Sequence, residues 1–487
     1  MSIQTAASGL SMNEPLLWER GRSGRCGVDF PKDDVPDCPL PQDVTASTAP
    51  DIPHLSELDV VRHYTRLSTW NFGVDTGMYP LGSCTMKYNP KTNERQAGLG
   101  GFANLHPLVP EAWCQGALRL MVELEEDLCE ITGMDAASLQ PAAGAHGELA
   151  GMLILHAWLS HKGETRHKII IPDTAHGTNP ASAALCGFRP VAVISGPKGI
   201  LQAETVRSVM DEDTAGIMIT NPNTLGLFEA ELPEICRIVH EKGGLVYADG
   251  ANMNALMGIV GMGCIGVDVM HLNLHKTFST PHGGGGPGAG PVLVKRFLEP
   301  FLPLPRVIRR EDGAFGLSED FPLSIGRMVG FYGHFLVWVR AYSYIRSLGA
   351  DGLRQASRLA VLNANYIRAR LRDVYHLPYE TPCLHECVFS DRHLLPYKVS
   401  TLDVAKRLMD YGFHPPTIYF PLVVHGSLMI EPTETEGKEE LDRFVEALRT
   451  IAEEAKGNPD MVHEAPCKTR VTRLDEVEAA RRPCLAG

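Results

Sequence analysis

The stretch VDVMHLNLHKTFSTPHGGGGPGAGPVLV, residues 267–294, decides how this chain is read. An apolar, strand-like run carries a single ammonium, Lys276, into a glycine-rich exit. Asp249 closes another apolar run in GGLVYADGAN, 27 residues earlier, which leaves room for a strand, a connection and a second strand. A lysine at the mouth of a sheet, with an aspartate on a neighbouring strand, is the arrangement expected around pyridoxal phosphate. The amine tethers the aldehyde, and the carboxylate keeps the pyridine nitrogen protonated. Alone, such a lysine reads as a solvated surface group, so the surrounding residues carry the weight.

Working outward, SLQPAAGAHGELAGMLILHAWL runs from a Pro-Ala-Ala-Gly turn into an apolar helix. Small residues at Ala143, Gly144 and Ala145 let backbone N–H groups approach a phosphate where the helix dipole also favours an anion. The plainer alternative is a glycine turn before a helix. In IIIPDTAHGTNPASA, His176 follows a strand by one short turn. Its imidazole can lie flat against a pyridine ring, or simply cap the helix beginning at Thr178 or Asn179. Asn221, in ITNPNTLGLFE, can donate to the phenolic oxygen of the cofactor or merely form an Asn-Pro turn. His275 is within reach of phosphate or of proton traffic, with a packing role as the alternative. A carboxylate buried at a strand end, as expected for Asp249, is costly unless paired. The order along the chain is the informative part: phosphate turn, stacking residue, aspartate, lysine.

The surrounding pattern predicts α/β architecture. Runs KIIIP (168–172), VAVIS (191–195), GIMIT (216–220), GLVYA (244–248), VDVMHLNL (267–274) and PVLV (291–294) are separated by helix-length segments. Doubly apolar strands alternating with helices imply a mostly parallel sheet covered on both faces, with ligands at the carboxyl ends of its strands. Residues 116–132 place Leu118, Met121, Leu124 and Leu128 near one helix face. Helices are expected over about 332–373 and 437–455, within a smaller α+β unit. The expected division is an N-terminal extended arm and helical segment over 1–115, a large cofactor-binding domain over 116–330, and a small C-terminal domain with tail over 331–487.

The bulk numbers exclude several classes. A length of 487 residues suggests two or three domains. A formal charge of −13 argues against nucleic acid and against an anionic membrane surface as partners. No apolar run of spanning length occurs. The first residues lack a secretory or transit pattern, so a cytoplasmic protein is expected. The 12 cysteines are scattered, with no CxxC, as in a reduced protein without disulfide framework or metal site.

The motifs YPLGSCTMKYNPK (79–91), QPAAGAHGELAG (140–151), PDTAHGTNPASA (172–183), TNPNTLGLFE (220–229), ADGANMNA (248–255), LNLHKTFSTPHGGGGPGAG (272–290) and PTIYFPLVVHGSLMIEPTETE (416–436) resemble the P-protein family of the glycine cleavage system. They are most similar to subunit 2 of the split, two-subunit bacterial form, over roughly residues 55–455. The resemblance implies the PLP-dependent transferase fold of type I (aspartate aminotransferase-like). It places the cofactor lysine at Lys276, the ring-stacking histidine at His176 and the pyridinium partner at Asp249. It implies decarboxylation of glycine, transfer of the aminomethyl group to the lipoyl arm of H-protein, and assembly with glycine dehydrogenase subunit 1, two copies of each. Orientation of the Cα–carboxylate bond against the ring selects which bond breaks. The Ser83-Cys84-Thr85 turn and the loop around His282 are expected walls of a cavity small enough for glycine, with Cys84 structural or redox-sensitive. Arg327 is the one arginine offered for the substrate carboxylate. The alternatives are another fold type I enzyme (aminotransferase or aldolase) and a non-catalytic scaffold subunit.

Overall fold

In a strand, successive side chains point to opposite faces, so a strand apolar at every position needs cover on both. The computed structural model describes residues 14–36, 38, 41, 43–48, 50–281 and 288–485, and His282 lies outside them. Strands β1 (Ala136–Ser138), β2 (Lys168–Pro172), β3 (Arg189–Val193), β4 (Thr214–Thr220), β5 (Leu245–Gly250), β6 (Val269–Leu272) and β7 (Val292–Val294) form one sheet in the order β1-β7-β6-β5-β4-β2-β3. The pairs β3·β2, β2·β4, β4·β5 and β5·β6 are parallel, while β7 runs antiparallel to β6 and to β1. The sheet is therefore mostly parallel, as the doubly apolar strands predict.

Alternation sorts the strand residues into two cores. Ile170, Ile217, Ile219, Val246, Ala248, Met270 and Leu272 face one side, where they meet Leu118, Met121, Leu124 and Leu128 of α1 (Gln115–Thr132). Ile169, Ile171, Met218, Leu245, Tyr247 and Val269 face the other, where α2 (Gly144–His161) supplies Ala150, Met152, Ile154, Leu155 and Leu159. Helix α3 (Thr178–Leu185) follows β2, and a single helical turn, α4 (Leu274–Thr277), follows β6. The strand expected over 267–274 stops at Leu272 because Lys276 and Thr277 both donate backbone N–H groups to the Asn273 carbonyl, turning the chain.

Helix α5 (Phe335–Leu371) is broken at Gly349, whose φ of 62° is left-handed. Its first part, with Val337, Trp338, Ala341 and Ile345, packs into the core of the large sheet. Its second part, with Ala364, Ile367 and Leu371, packs into a different core with α6 (Thr401–Asp410) and α7 (Lys438–Gly457). That core covers a three-stranded antiparallel sheet of β10 (Cys387–Ser390), β11 (Thr417–Ile418) and β12 (Ser427–Ile430), in the order β10-β12-β11. A hairpin of β8 (Arg306–Arg309) and β9 (Phe315–Ser318) joins neither sheet and packs Val307, Phe315 and Leu317 against the core that holds α1. The arm touches both units: Met78 is buried in the C-terminal core, Leu81 forms a β-bridge with Ile430, and Ala97 joins the core of the large sheet.

Close backbone approach seats the start of α2. A Cβ added at Gly290 would lie 2.0 Å from the Ala143 carbonyl oxygen, and one at Gly147 would lie 2.5 Å from the Gly290 carbonyl oxygen. Gly290→Ala is therefore expected to destabilise the protein by about 1–3 kcal/mol, because backbone atoms cannot give way as a side chain does. Gly437→Ala, where an added Cβ meets nothing within 4 Å, serves as the neutral control. Urea unfolding of the two variants checks the contrast.

Candidate active site

A cavity of about 400 Å³ opens at the carboxyl ends of the central strands. The sheet contributes Asp249, His271 and Asn273; the start of α2 contributes Gly144, Ala145 and Glu148; the α3 entry contributes His176 and Thr178. Lys276 and His275 line it from α4, and Ser83, Cys84, Thr417 and Phe420 close it from the arm and the C-terminal unit. The expected residues thus converge, with four exceptions; one is Thr85, which lies outside the lining that Ser83 and Cys84 join. Ala143 stands one residue outside the lining, as the N-cap of α2, and Asn221 lies behind Thr220. Arg327 does not reach the cavity: it is exposed and paired with Glu319.

The closed end is electrostatically unusual. Asp249 is buried and forms the last-but-one residue of β5, inside the strand. Its Oδ1 accepts the Ala251 N–H at 2.9 Å, and its Oδ2 accepts from Asn179 Nδ2 at 3.1 Å. Burial pushes its carboxyl up, but His271, the Ala251 N–H, Lys276 and Asn179 together hold it below the ordinary carboxylate value. His271 Nε2 lies 3.5 Å from Asp249 Oδ1; burial pushes this imidazole down while the Asp249 charge pulls it back up. The Tyr247 hydroxyl and His271 Nδ1 are hydrogen-bonded to each other.

Glu148, unremarked in the sequence, sits beside Asp249. It accepts from Thr178 Oγ1 at 2.7 Å and from Asn179 Nδ2 at 2.8 Å. Burial and the Asp249 charge push its carboxyl up to about 7. The available signal was a single acid in an otherwise apolar helix, one turn after the small-residue start. His176 bonds Thr178 Oγ1 through Nδ1 at 2.8 Å and packs edge-on to Phe420, with ring centroids 5.7 Å apart. It also accepts the Thr178 N–H at 3.3 Å, so it caps α3 as well as lining the cavity.

Lys276 is tied down indirectly. Lys87, fully enclosed, donates to the Thr277 carbonyl at 2.7 Å and to the Tyr344 hydroxyl at 3.0 Å, and pairs with Glu434 at 2.6 Å. A buried ammonium survives only with such partners. Burial pushes Lys87 down, but Glu434 and Tyr344 outweigh it and keep the amine charged. On the opposite wall, Ser83 and Thr85 hold left-handed φ values of 66° and 44°. Two fully buried carboxylates fix this strain: Glu386 accepts the Ser83 N–H at 2.8 Å, and Glu431 accepts the Thr85 N–H at 3.0 Å. Burial raises both carboxyls, Glu431 to about 7, and drives the adjacent His385 down to about 3. Burial likewise raises the Cys84 thiol, which leaves it a poor nucleophile. Glu148–Asp249–His271 and His385–Glu386–Glu431 each bring ligand atoms within 4.8 Å. Donors from the protein already occupy the Glu148, Asp249 and Glu431 oxygens, whereas both His385 ring nitrogens and Glu386 Oε1 are buried without hydrogen-bond partners.

The residues fit pyridoxal phosphate. Helix α2 has no side-chain cap at its start, so its first N–H groups suit a phosphate. A Cβ at Gly144 would stand 2.4 Å from Asn273 Nδ2, so glycine is required where the cradle is narrowest. Thr220 Oγ1, Asn221 Nδ2, Asn252 Oδ1 and Asn273 Oδ1 are buried without partners, the signature of groups awaiting a polar ligand. Among the described residues, the Lys276 amine forms no ion pair.

Comparison with known proteins agrees. Residues 146–301 match the family model Aminotransferase class-V, and residues 356–468 match Glycine dehydrogenase, C-terminal domain. Among solved structures, a glycine decarboxylase (P-protein) of the glycine cleavage system, in inhibitor-bound form, superposes with a TM-score of 0.71 at 21% identity, covering 84% of this chain and 93% of that one. A glutamate decarboxylase from Lactobacillus brevis superposes with a TM-score of 0.64 at 13% identity, covering 88% and 96%. At these identities the likeness establishes the fold alone: the aspartate aminotransferase-like fold of type I pyridoxal phosphate enzymes. Sequence relatives go further. A probable glycine dehydrogenase (decarboxylating) subunit 2 from Caldanaerobacter subterraneus subsp. tengcongensis is 56% identical over 96% of this chain and 98% of its own. Proteins of the same description from Listeria innocua and Halalkalibacterium halodurans are each 54% identical, over 97% and 98% of this chain. With near-complete overlap at such identity, the chain belongs to the glycine dehydrogenase (decarboxylating) subunit 2 family.

Proposed function

We propose that the chain is the pyridoxal phosphate-bearing subunit of a two-subunit glycine dehydrogenase. It decarboxylates glycine, releases CO2 and passes the aminomethyl group to the lipoyl arm of H-protein. The observation that carries this reading is the convergence of Lys276, Asp249, His176 and the uncapped start of α2 on one cavity, in a chain of this family. Bound there, pyridoxal phosphate supplies the electron sink for the pair released when the carboxylate leaves.

The chain's own residues do the rest. Lys276 tethers the cofactor's aldehyde, and Lys87 holds the turn that presents it. Asp249 retains a proton on the ring nitrogen, since a carboxylate kept below its ordinary value favours a cation beside it. Backbone N–H groups at Gly144 and Ala145, next to Ala143, hold the phosphate. His176 would stack on the ring, and His275, which also lines the cavity, would serve the phosphate. Asn221 offers its unpartnered Nδ2 to the phenolic oxygen. Ser83 and Cys84, on the turn that Thr85 closes behind them, limit the cavity to a substrate without a side chain. No arginine lines it among the described residues, in keeping with a carboxylate that must depart, because tight ground-state binding would not speed its loss. Transfer to the lipoyl disulfide forms a C–S bond, breaks the S–S bond and protonates the released sulfur.

The relatives' name, subunit 2, supports a companion chain, and we assign glycine dehydrogenase subunit 1 to that place, in two copies with two of this chain. The setting is cytoplasmic on this reading. Eleven cysteines, from Cys26 to Cys467, are free thiols, and no described helix is long and apolar enough to cross a membrane.

Two experiments test the assignment. Lys276→Ala is expected to lose the visible absorption of the lysine-bound cofactor and to cut activity roughly 10³-fold or more; retention of the band would displace the lysine. Exchange of labelled bicarbonate into glycine is expected to require both the companion subunit and lipoylated H-protein. Full-rate exchange without H-protein, or amino-group exchange with 2-oxo acids, would point to a different enzyme of the same fold.

A further inference from the structure

We infer that Glu148 is a positioning residue which decides, through the Thr178 hydroxyl, which nitrogen of His176 carries a hydrogen. The inference rests on the reading of this cavity as the glycine site and adds a control over how His176 meets the substrate carboxylate.

The geometry sets a strict count. Thr178 Oγ1 lies 2.7 Å from Glu148 Oε1 and 2.8 Å from His176 Nδ1. A hydroxyl has one hydrogen, so it donates to one neighbour and must accept from the other. When Glu148 is ionised, the hydroxyl donates to it, and a hydrogen on His176 Nδ1 then donates to Thr178 Oγ1 at 2.8 Å in exchange for the longer 3.3 Å contact with the Thr178 backbone N–H. Nε2 is then a bare acceptor. When Glu148 is protonated, it donates to Thr178, whose hydrogen turns to His176 Nδ1. That nitrogen also accepts the Thr178 backbone N–H at 3.3 Å, and the ring hydrogen moves to Nε2, making it a donor. One proton on Glu148 therefore inverts the hydrogen-bonding character of the nitrogen left to the cavity.

Glu148 cannot turn away. Its other oxygen accepts from Asn179 Nδ2 at 2.8 Å, and the same amide spans to Asp249 Oδ2 at 3.1 Å. The charged or titratable groups facing Glu148 are Asp249 and Tyr247 on β5, His271 on β6 and Lys276 on α4. Of these, Asp249 opposes its ionisation and Lys276 favours it. Burial and Asp249 prevail and bring the carboxyl to about 7, within the range where the switch operates. Below that pH, Nε2 is a donor suited to a carboxylate; above it, Nε2 is an acceptor that opposes one.

The test reads the tautomer directly. In cofactor-free protein labelled with ¹⁵N-histidine, the His176 signals are identified by their loss in His176→Asn. In the wild type, the hydrogen is expected on Nε2 at low pH and on Nδ1 above neutrality. Glu148→Gln accepts from Asn179 through its oxygen and donates to Thr178 through its amide, so it should hold the hydrogen on Nε2 at every pH. Thr178→Val, which keeps the shape and removes the hydroxyl, should do the same, while Thr178→Ser should behave as wild type. In the loaded enzyme with its partners, KM for glycine should rise roughly tenfold from acid to alkaline pH in the wild type, the scale of one hydrogen bond to a charged group, and stay flat in Glu148→Gln. A His176 tautomer that follows pH identically in the wild type, Glu148→Gln and Thr178→Val overturns the relay. The visible band of the lysine-bound cofactor is read separately: its presence in these variants leaves the cofactor assignment standing when the relay fails.

Discussion

Asp249 presents its carboxylate, buried and deprotonated, at the inner end of the cavity, and no described lysine or arginine pairs with it. Asn179 and the Ala251 N–H donate to it, and His271 stands 3.5 Å away with its imidazole pushed down by burial. Such a charge is costly in a protein interior unless a cation answers it. The sheet supplies the position, and on the proposed reading a protonated pyridine nitrogen would supply the cation that completes the electrostatics. Glu148 next door avoids a second negative charge by staying close to its protonation point near 7.

Around this centre the fold works as a set of fixed approaches. Glycines at 144, 147 and 290 let α2 begin against β6 and β7 without Cβ atoms in the way. Lys87 reaches across from the arm to hold α4, and Glu386 and Glu431 pin a strained turn opposite. The cavity thus draws on the large sheet, the arm and the C-terminal unit together. Its size and shape depend on all three, which is how a fold shared with other decarboxylases can hold a site for the smallest amino acid.

The chain's text carried much of this. Doubly apolar strands announced the buried parallel sheet, because period-two alternation leaves its trace in adjacent residues. Lys276, Asp249, His176 and Gly144 could be placed since each follows or ends a strand, or opens a helix, where ligands gather. Other parts were illegible for a physical reason. Glu386 meets Ser83 across 303 positions, Glu431 meets Thr85 across 346, and Lys87 meets Tyr344 across 257. A linear pattern does not pair groups so far apart. Arg327 failed for the related reason that a glycine-flanked arginine near a loop says nothing of where the loop goes; it pairs with Glu319 at the surface. Glu148 was within reach, as the one acid in an apolar helix.

Borohydride reduction of the protein after loading with pyridoxal phosphate, followed by proteolysis and mass spectrometry, tests the central claim most directly. A stable pyridoxyl adduct on the peptide containing Lys276, and on that peptide alone, is the expected result. An adduct on Lys87 or on a surface lysine, with Lys276 unmodified, would contradict it.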